Sequence, residues 1–193
     1  MGAVAHAATD VRFQHFGIAE GLSQPSILCA WQDPNGFMWF CTQQGLNRFD
    51  GYQFRIYSIA NSKGLEDHYI MSLAGDPDGR TLWLGTRYAG LIRFNTMTDE
   101  FEQIPLGEGV QDVGINALVI DSKHRLWIGS KDRGVWLLDL NDENAMAVRV
   151  GNPGEMQRFY IDQRQQVWVL TSNSGLWRAN ATADQVTLTQ VLA

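Results

Sequence analysis

The side chains that could do chemistry are few and dispersed. Four histidines, His6, His15, His68 and His124, share no metal-ligand spacing. No nucleophile elbow, phosphate-binding glycine loop or zinc signature is present, so the sequence predicts no catalytic residue, no metal and no cofactor. Asp76-Pro77-Asp78-Gly79 carries two carboxylates but lacks the further oxygen ligands of a calcium loop, and reads as a turn. What recurs instead are short polar groups: Gln43-Gln44, Arg87-Tyr88-Ala89, Lys131-Asp132-Arg133 and Ser172-Asn173-Ser174. Amides that read hydroxyls, a ring that covers a sugar face and cations that receive a carboxylate are carbohydrate-binding chemistry. The candidate ligand-binding residues are Gln43, Gln44, His68, Tyr69, Arg87, Tyr88, Lys131, Arg133 and Asn173, with Arg87, Lys131 and Arg133 suited to an acidic sugar. The competing reading is that polar loop tips are polar because they are wet.

The elements that must position these groups follow from a repeat. Phe37–Thr42, Thr81–Thr86, Arg125–Ser130 and Gln166–Thr171 align on Trp39, Trp83, Trp127 and Trp168, which stand 44, 44 and 41 residues apart. An aspartate precedes each tryptophan by six or seven positions (Asp33, Asp76, Asp121, Asp162), and a glycine follows by six or seven (Gly45, Gly90, Gly134, Gly175). Each copy reads as four short alternating strands divided by turn residues, with no helical periodicity. Four strands every ~40–45 residues is the period of a β-propeller blade. The fold class predicted is therefore all-β. It comprises four blades, approximately 26–57, 69–104, 115–150 and 157–192, preceded by a leading strand at 11–16 that belongs to none of them. Trp supplies flat apolar area for blade-to-blade packing, and small residues such as Gly85 and Gly129 let neighbours approach. Asp33 and Asp76 are expected to pin their hairpins. His15 is expected to be a satisfied structural residue and His124 to face water. With strands alternating in direction, the candidate residues all gather at one end of the disc.

Composition agrees with this class. Hydrophobic residues make up 45% and charged residues 19%, with seven Trp and 19 Gly. A net charge of −6 without a basic stripe argues against nucleic acid. The apolar runs are too short for a membrane helix. Ala3–Ala8 resembles the end of a secretory signal, so residues 1–10 read as a signal remnant or tail. Cys29 and Cys41 fall opposite each other on adjacent strands. Two buried thiols are the preferred reading, and a cross-strand disulfide is the alternative.

Together, Phe13-Gln14-His15, Gly21-Leu22-Ser23, Gly36-Phe37-Met38-Trp39, Gly45–Gly51 and the later Leu82–Thr86 and Leu126–Gly129 resemble the two-component regulator propeller repeats. That resemblance covers residues 12 to about 178. It implies the periplasmic sensor region of a bacterial hybrid histidine kinase or diguanylate cyclase, commonly carbohydrate-responsive. It also implies a larger propeller, tethered to the inner membrane through downstream sequence, with any output enzyme outside this chain. An open arc of four blades would expose edges for self-association. A protein-interaction platform is the alternative function. A secreted propeller lyase, with His68 as its base, is a weaker one.

Overall fold

The computed structural model describes residues 13–107, 113–181 and 186–192. They form sixteen strands in four antiparallel sheets, each laid out in chain order. Sheet one holds β1 (Cys29–Gln32), β2 (Met38–Thr42), β3 (Gly45–Phe49) and β4 (Phe54–Tyr57). Sheet two holds β5 (Ile70–Gly75), β6 (Thr81–Thr86), β7 (Leu91–Asn95) and β8 (Glu100–Ile104). Sheet three holds β9 (Ile115–Ile120), β10 (Arg125–Ser130), β11 (Gly134–Asp139) and β12 (Val148–Gly151). Sheet four holds β13 (Met156–Ile161), β14 (Val167–Thr171), β15 (Leu176–Ala181) and β16 (Val186–Leu192). The first strands touch in sequence, β1 on β5, β5 on β9 and β9 on β13, so they line the axis of a four-blade arc. The all-β propeller architecture read from the repeat is the architecture observed.

Each repeated residue has a local job. Asp33 Oδ1 accepts the amides of Asn35 (2.8 Å) and Phe37 (3.1 Å), and its Oδ2 accepts the Trp39 indole at 2.9 Å. Asp121 and Asp162 repeat this pattern, taking the indoles of Trp127 at 2.9 Å and Trp168 at 3.0 Å. Asp76 departs from expectation. It stands seven residues before its tryptophan rather than six, and its carboxylate holds neither the turn amides nor the Trp83 indole, which is buried without a partner. Instead Asp76 Oδ1 lies 3.3 Å from His124 Nε2 on the next blade, so His124 is part-exposed but not simply solvent-facing. The glycines Gly45, Gly90, Gly134 and Gly175 all take positive φ (117°, 70°, 97° and 70°), a turn that side chains resist.

The core consists of three seams between blades. Trp39 and Leu46 of the first sheet pack against Ile70, Leu82 and Leu84 of the second. Trp83 and Leu91 meet Ile115, Leu126 and Ile128, while Trp127 and Val135 meet Met156, Phe159 and Val169. Gly85 is needed at the second seam, because a Cβ there would sit 2.6 Å from the Ile115 carbonyl oxygen.

Two expectations are corrected. The predicted leading strand lies partly outside the described residues, and Phe13–Phe16 carry no strand. This segment instead folds over the first sheet. Phe16 packs on Phe49 at 4.9 Å, and the Ser23 amide donates to Asn47 Oδ1 at 2.9 Å. His15 is exposed here rather than buried in structure. The second correction concerns Cys29 and Cys41, which are paired in register and joined as a disulfide. The β1–β2 hairpin brings the two Cα atoms to 5.0 Å, within bonding reach, so neither is left as a free thiol.

Candidate functional site

The turns between second and third strands come from the tight Gly corner of each sheet. Thr86 Oγ1 donates to the Gly90 carbonyl at 2.9 Å and accepts the Ala89 amide, which fixes Arg87-Tyr88 outside the corner. Ser130 Oγ accepts the Arg133 amide at 3.2 Å and presents Lys131-Asp132-Arg133 in the same way. Between these two turns lies a cleft of about 240 Å³, lined by Met71, Arg87, Tyr88, Val113, Gly114, Asn116, Lys131, Asp132 and Arg133.

Four of the nine candidate residues, Arg87, Tyr88, Lys131 and Arg133, converge in this cleft. Tyr69 stands behind it. Arg87 lies 5.2 Å over the Tyr69 ring and 5.4 Å over Tyr88, and its Nε donates to the Tyr88 hydroxyl at 2.8 Å. The Tyr88 hydrogen bond holds the guanidinium pKa above its ordinary value, so Arg87 is charged at every working pH. Gln43 reaches this group from the first sheet by donating to the Tyr69 hydroxyl at 3.1 Å. Asn173 lies on the far side, where its Oδ1 accepts the Glu155 amide at 3.1 Å, and Glu155 in turn faces Lys131 at 3.6 Å. Gln44 and His68 are exposed and do not line the cleft.

Three participants escaped the sequence reading. Asp67 is 6% exposed; its Oδ1 accepts the Tyr69 amide at 2.9 Å and its Oδ2 accepts the Tyr88 amide at 2.7 Å. One carboxylate thereby ties the loop entering the second sheet to the turn that carries Arg87. Met71 and Asn116 are the extra residues of β-bulges, where β5 and β9 slip register against their partners near Thr86 and Ser130. A bulge turns a side chain off the regular alternation, here toward the cleft. Asn116 Nδ2 donates to the Met156 carbonyl at 3.2 Å, while its Oδ1 is buried without a donor. The paired-acid position of Asp67 was visible as a carboxylate two residues before an aromatic residue. The bulges left no signal.

Chemically, the cleft offers three cations and one carboxylate around an exposed aromatic ring. It holds no histidine, and no cluster of three metal-ligating side chains occurs among the described residues. The arrangement can bind and orient a polar ligand.

Comparison with known proteins gives one local family match and several structural neighbours. Residues 64–88, which run through Asp67, Tyr69, Arg87 and Tyr88, match the family model described as two component regulator propeller. A 45-residue stretch is 47% identical to a histidine kinase of Formosa agariphila, covering 23% of this chain and 3% of that one. The extracellular domains of two hybrid two component systems from B. thetaiotaomicron have a similar structure. One gives a TM-score of 0.63 at 21% identity over 93% of this chain, and the other 0.66 at 20% over 86%. A streptogramin B lyase gives 0.64 at 11% identity over 89% of this chain and 56% of its own. These identities establish the shared propeller fold alone. The chain spans 32% and 21% of the two extracellular domains. Residues 64–88 thus match a two component regulator propeller repeat, within a chain whose four sheets repeat one four-stranded blade pattern.

Proposed function

We propose that this chain is part of the ligand-sensing propeller of a bacterial signal-transduction receptor. In this reading it lies in the periplasm, is tethered to the inner membrane through sequence beyond it, and responds to carbohydrate. It then passes the binding signal to a kinase or diguanylate cyclase outside this chain. The observation that carries the reading is the cleft between the second and third sheets, built from the matched repeat and its neighbour. A ligand there touches two blades at once, so binding acts on their relative position, which is what a sensor must report. The Cys29–Cys41 disulfide supports an exported location, because such bonds persist in oxidising compartments. Among the described residues no helix is long and apolar enough to cross a membrane.

The test is calorimetric titration of the purified chain with a panel of mono- and oligosaccharides, repeated on Tyr88→Ala. Saturable binding to at least one sugar, lost in the variant, is the expected outcome. Specific capture of a protein with no response to any sugar would replace the sensor by an interaction platform. Turnover of a polyuronate or lactone would replace it by a lyase.

A further inference from the structure

We infer that the cleft between the second and third blades selects a carboxylate-bearing sugar, a uronate, one ring of which fills it. This rests on the ligand-sensing reading and narrows it to a substrate class. The cleft lining carries Arg87, Lys131 and Arg133 against one carboxylate, Asp132, on a chain whose net charge is −6. A local excess of positive charge on an acidic molecule focuses anions to that spot. Two of the cations are guanidinium groups, whose planar donors match a carboxylate in a bidentate way. Arg87 is held in advance by the Tyr88 hydroxyl, which lowers the ordering cost of binding. Arg133 has no salt bridge among the described residues, and Lys131 meets Glu155 only at 3.6 Å on an exposed surface.

The remaining groups distinguish a sugar from a bare anion. Tyr88 is 61% exposed and offers a ring face. Asp132 accepts hydrogen bonds from hydroxyls and repels a second carboxylate. A volume of about 240 Å³ is below the roughly 300–1,000 Å³ of pockets for drug-sized molecules, so one ring enters and any further rings lie outside. Asp67 is the positioning residue. It touches no ligand but fixes the backbone of Tyr88 and so the turn that presents Arg87.

The experiment titrates the protein with sodium D-glucuronate, D-galacturonate, the methyl ester of glucuronate, D-glucose and sodium acetate. One of the two uronates should bind at least tenfold more tightly than the ester, glucose and acetate. Arg133→Gln, at an exposed position, should weaken uronate binding about tenfold and glucose binding less than twofold, with an unchanged unfolding midpoint. Lys131→Gln gives an independent second variant with the same direction. Asp67→Asn should weaken the uronate and glucose alike, as a misplaced turn would, whereas a lost charge contact would affect the uronate only. Equal affinity for the uronates and glucose, abolished together by Tyr88→Ala, would overturn the acidic-sugar inference and leave the sensor reading standing. Acetate binding as tightly as the uronates would reduce the site to an anion site and overturn it as well. Failure of every sugar to bind would overturn both.

Discussion

In three of the four sheets the aspartate that opens the hairpin (Asp33, Asp121 and Asp162) does two things at once: it closes its own turn and anchors the indole of the strand that follows. In Asp121 burial raises the carboxyl pKa, but donation from Arg125 (2.7 Å) and the Trp127 indole outweighs it and holds the pKa below the usual value. A carboxyl depressed on folding contributes stability that is complete above its unfolded pKa, near 4, and lost as pH falls through that range. Asp121→Asn should therefore cost about 1–3 kcal/mol in urea unfolding at neutral pH. The gap between variant and parent should begin to close as pH falls below the unfolded carboxyl value near 4 and go on closing down through the depressed folded-state pKa. A gap that stays constant would show that the acceptor pattern of the two oxygens, not the charge, is what Asp121 contributes. Asp76→Ala should cost less than Asp121→Ala, since Asp76 holds no indole. The extra residue between Asp76 and Trp83 is the reason, and it is visible in the sequence.

At the scale of the blade, the informative position is the pair facing the next blade near the end of the two inner strands. It holds Cys29 and Cys41 in the first sheet, Ser72 and Gly85 in the second, Ala117 and Gly129 in the third, and Arg158 and Leu170 in the fourth. The small pairs of the second and third sheets let the following sheet pack closely, the first sheet adds a bond, and the fourth, with no sheet packed on it among the described residues, carries the large Arg158 and Leu170. Intact mass under non-reducing conditions should be two hydrogens below the reduced value. Closing so short a loop, with a separation of 12 residues, stabilises by about 2–3 kcal/mol, so reduction should lower the unfolding midpoint. An unchanged midpoint would mean that two packed thiols hold the hairpin equally well.

Across the whole molecule, stability is stored between blades, so a tryptophan counts by what covers it. Trp127 is 1% exposed because the fourth sheet lies on it. Trp168, its counterpart, sits half-buried on an apolar face with Tyr160, Leu170 and Leu176. Trp127→Ala should cost about 3–5 kcal/mol, and Trp168→Ala less than half of that. Equal losses in chemical unfolding would mean that another surface covers the fourth sheet in solution. Self-association through that face would do so, and sedimentation at rising concentration would reveal it.

Much of this was legible in the chain before folding. The Trp39, Trp83, Trp127 and Trp168 period, the aspartate before each and the positive-φ glycine after each are set by interactions within a few residues. A hairpin bond from Asp33 to Trp39, or a left-handed corner at Gly45, needs only local chain geometry. The same locality gave the facing register of Cys29 and Cys41. Whether those sulfurs bond was decided by the folded hairpin, which brings them together. The site was only half legible for the same reason. Sequence placed nine residues at one end of the disc, but the rotation between blades selects which turns meet. It joins Arg87 and Tyr88 to Lys131 and Arg133, leaves Gln44 and His68 apart, and brings in Asp67, Met71 and Asn116 through a cross-loop bond and two bulges. Local rules fix each blade, whereas the cleft exists only in the packing of one blade on the next.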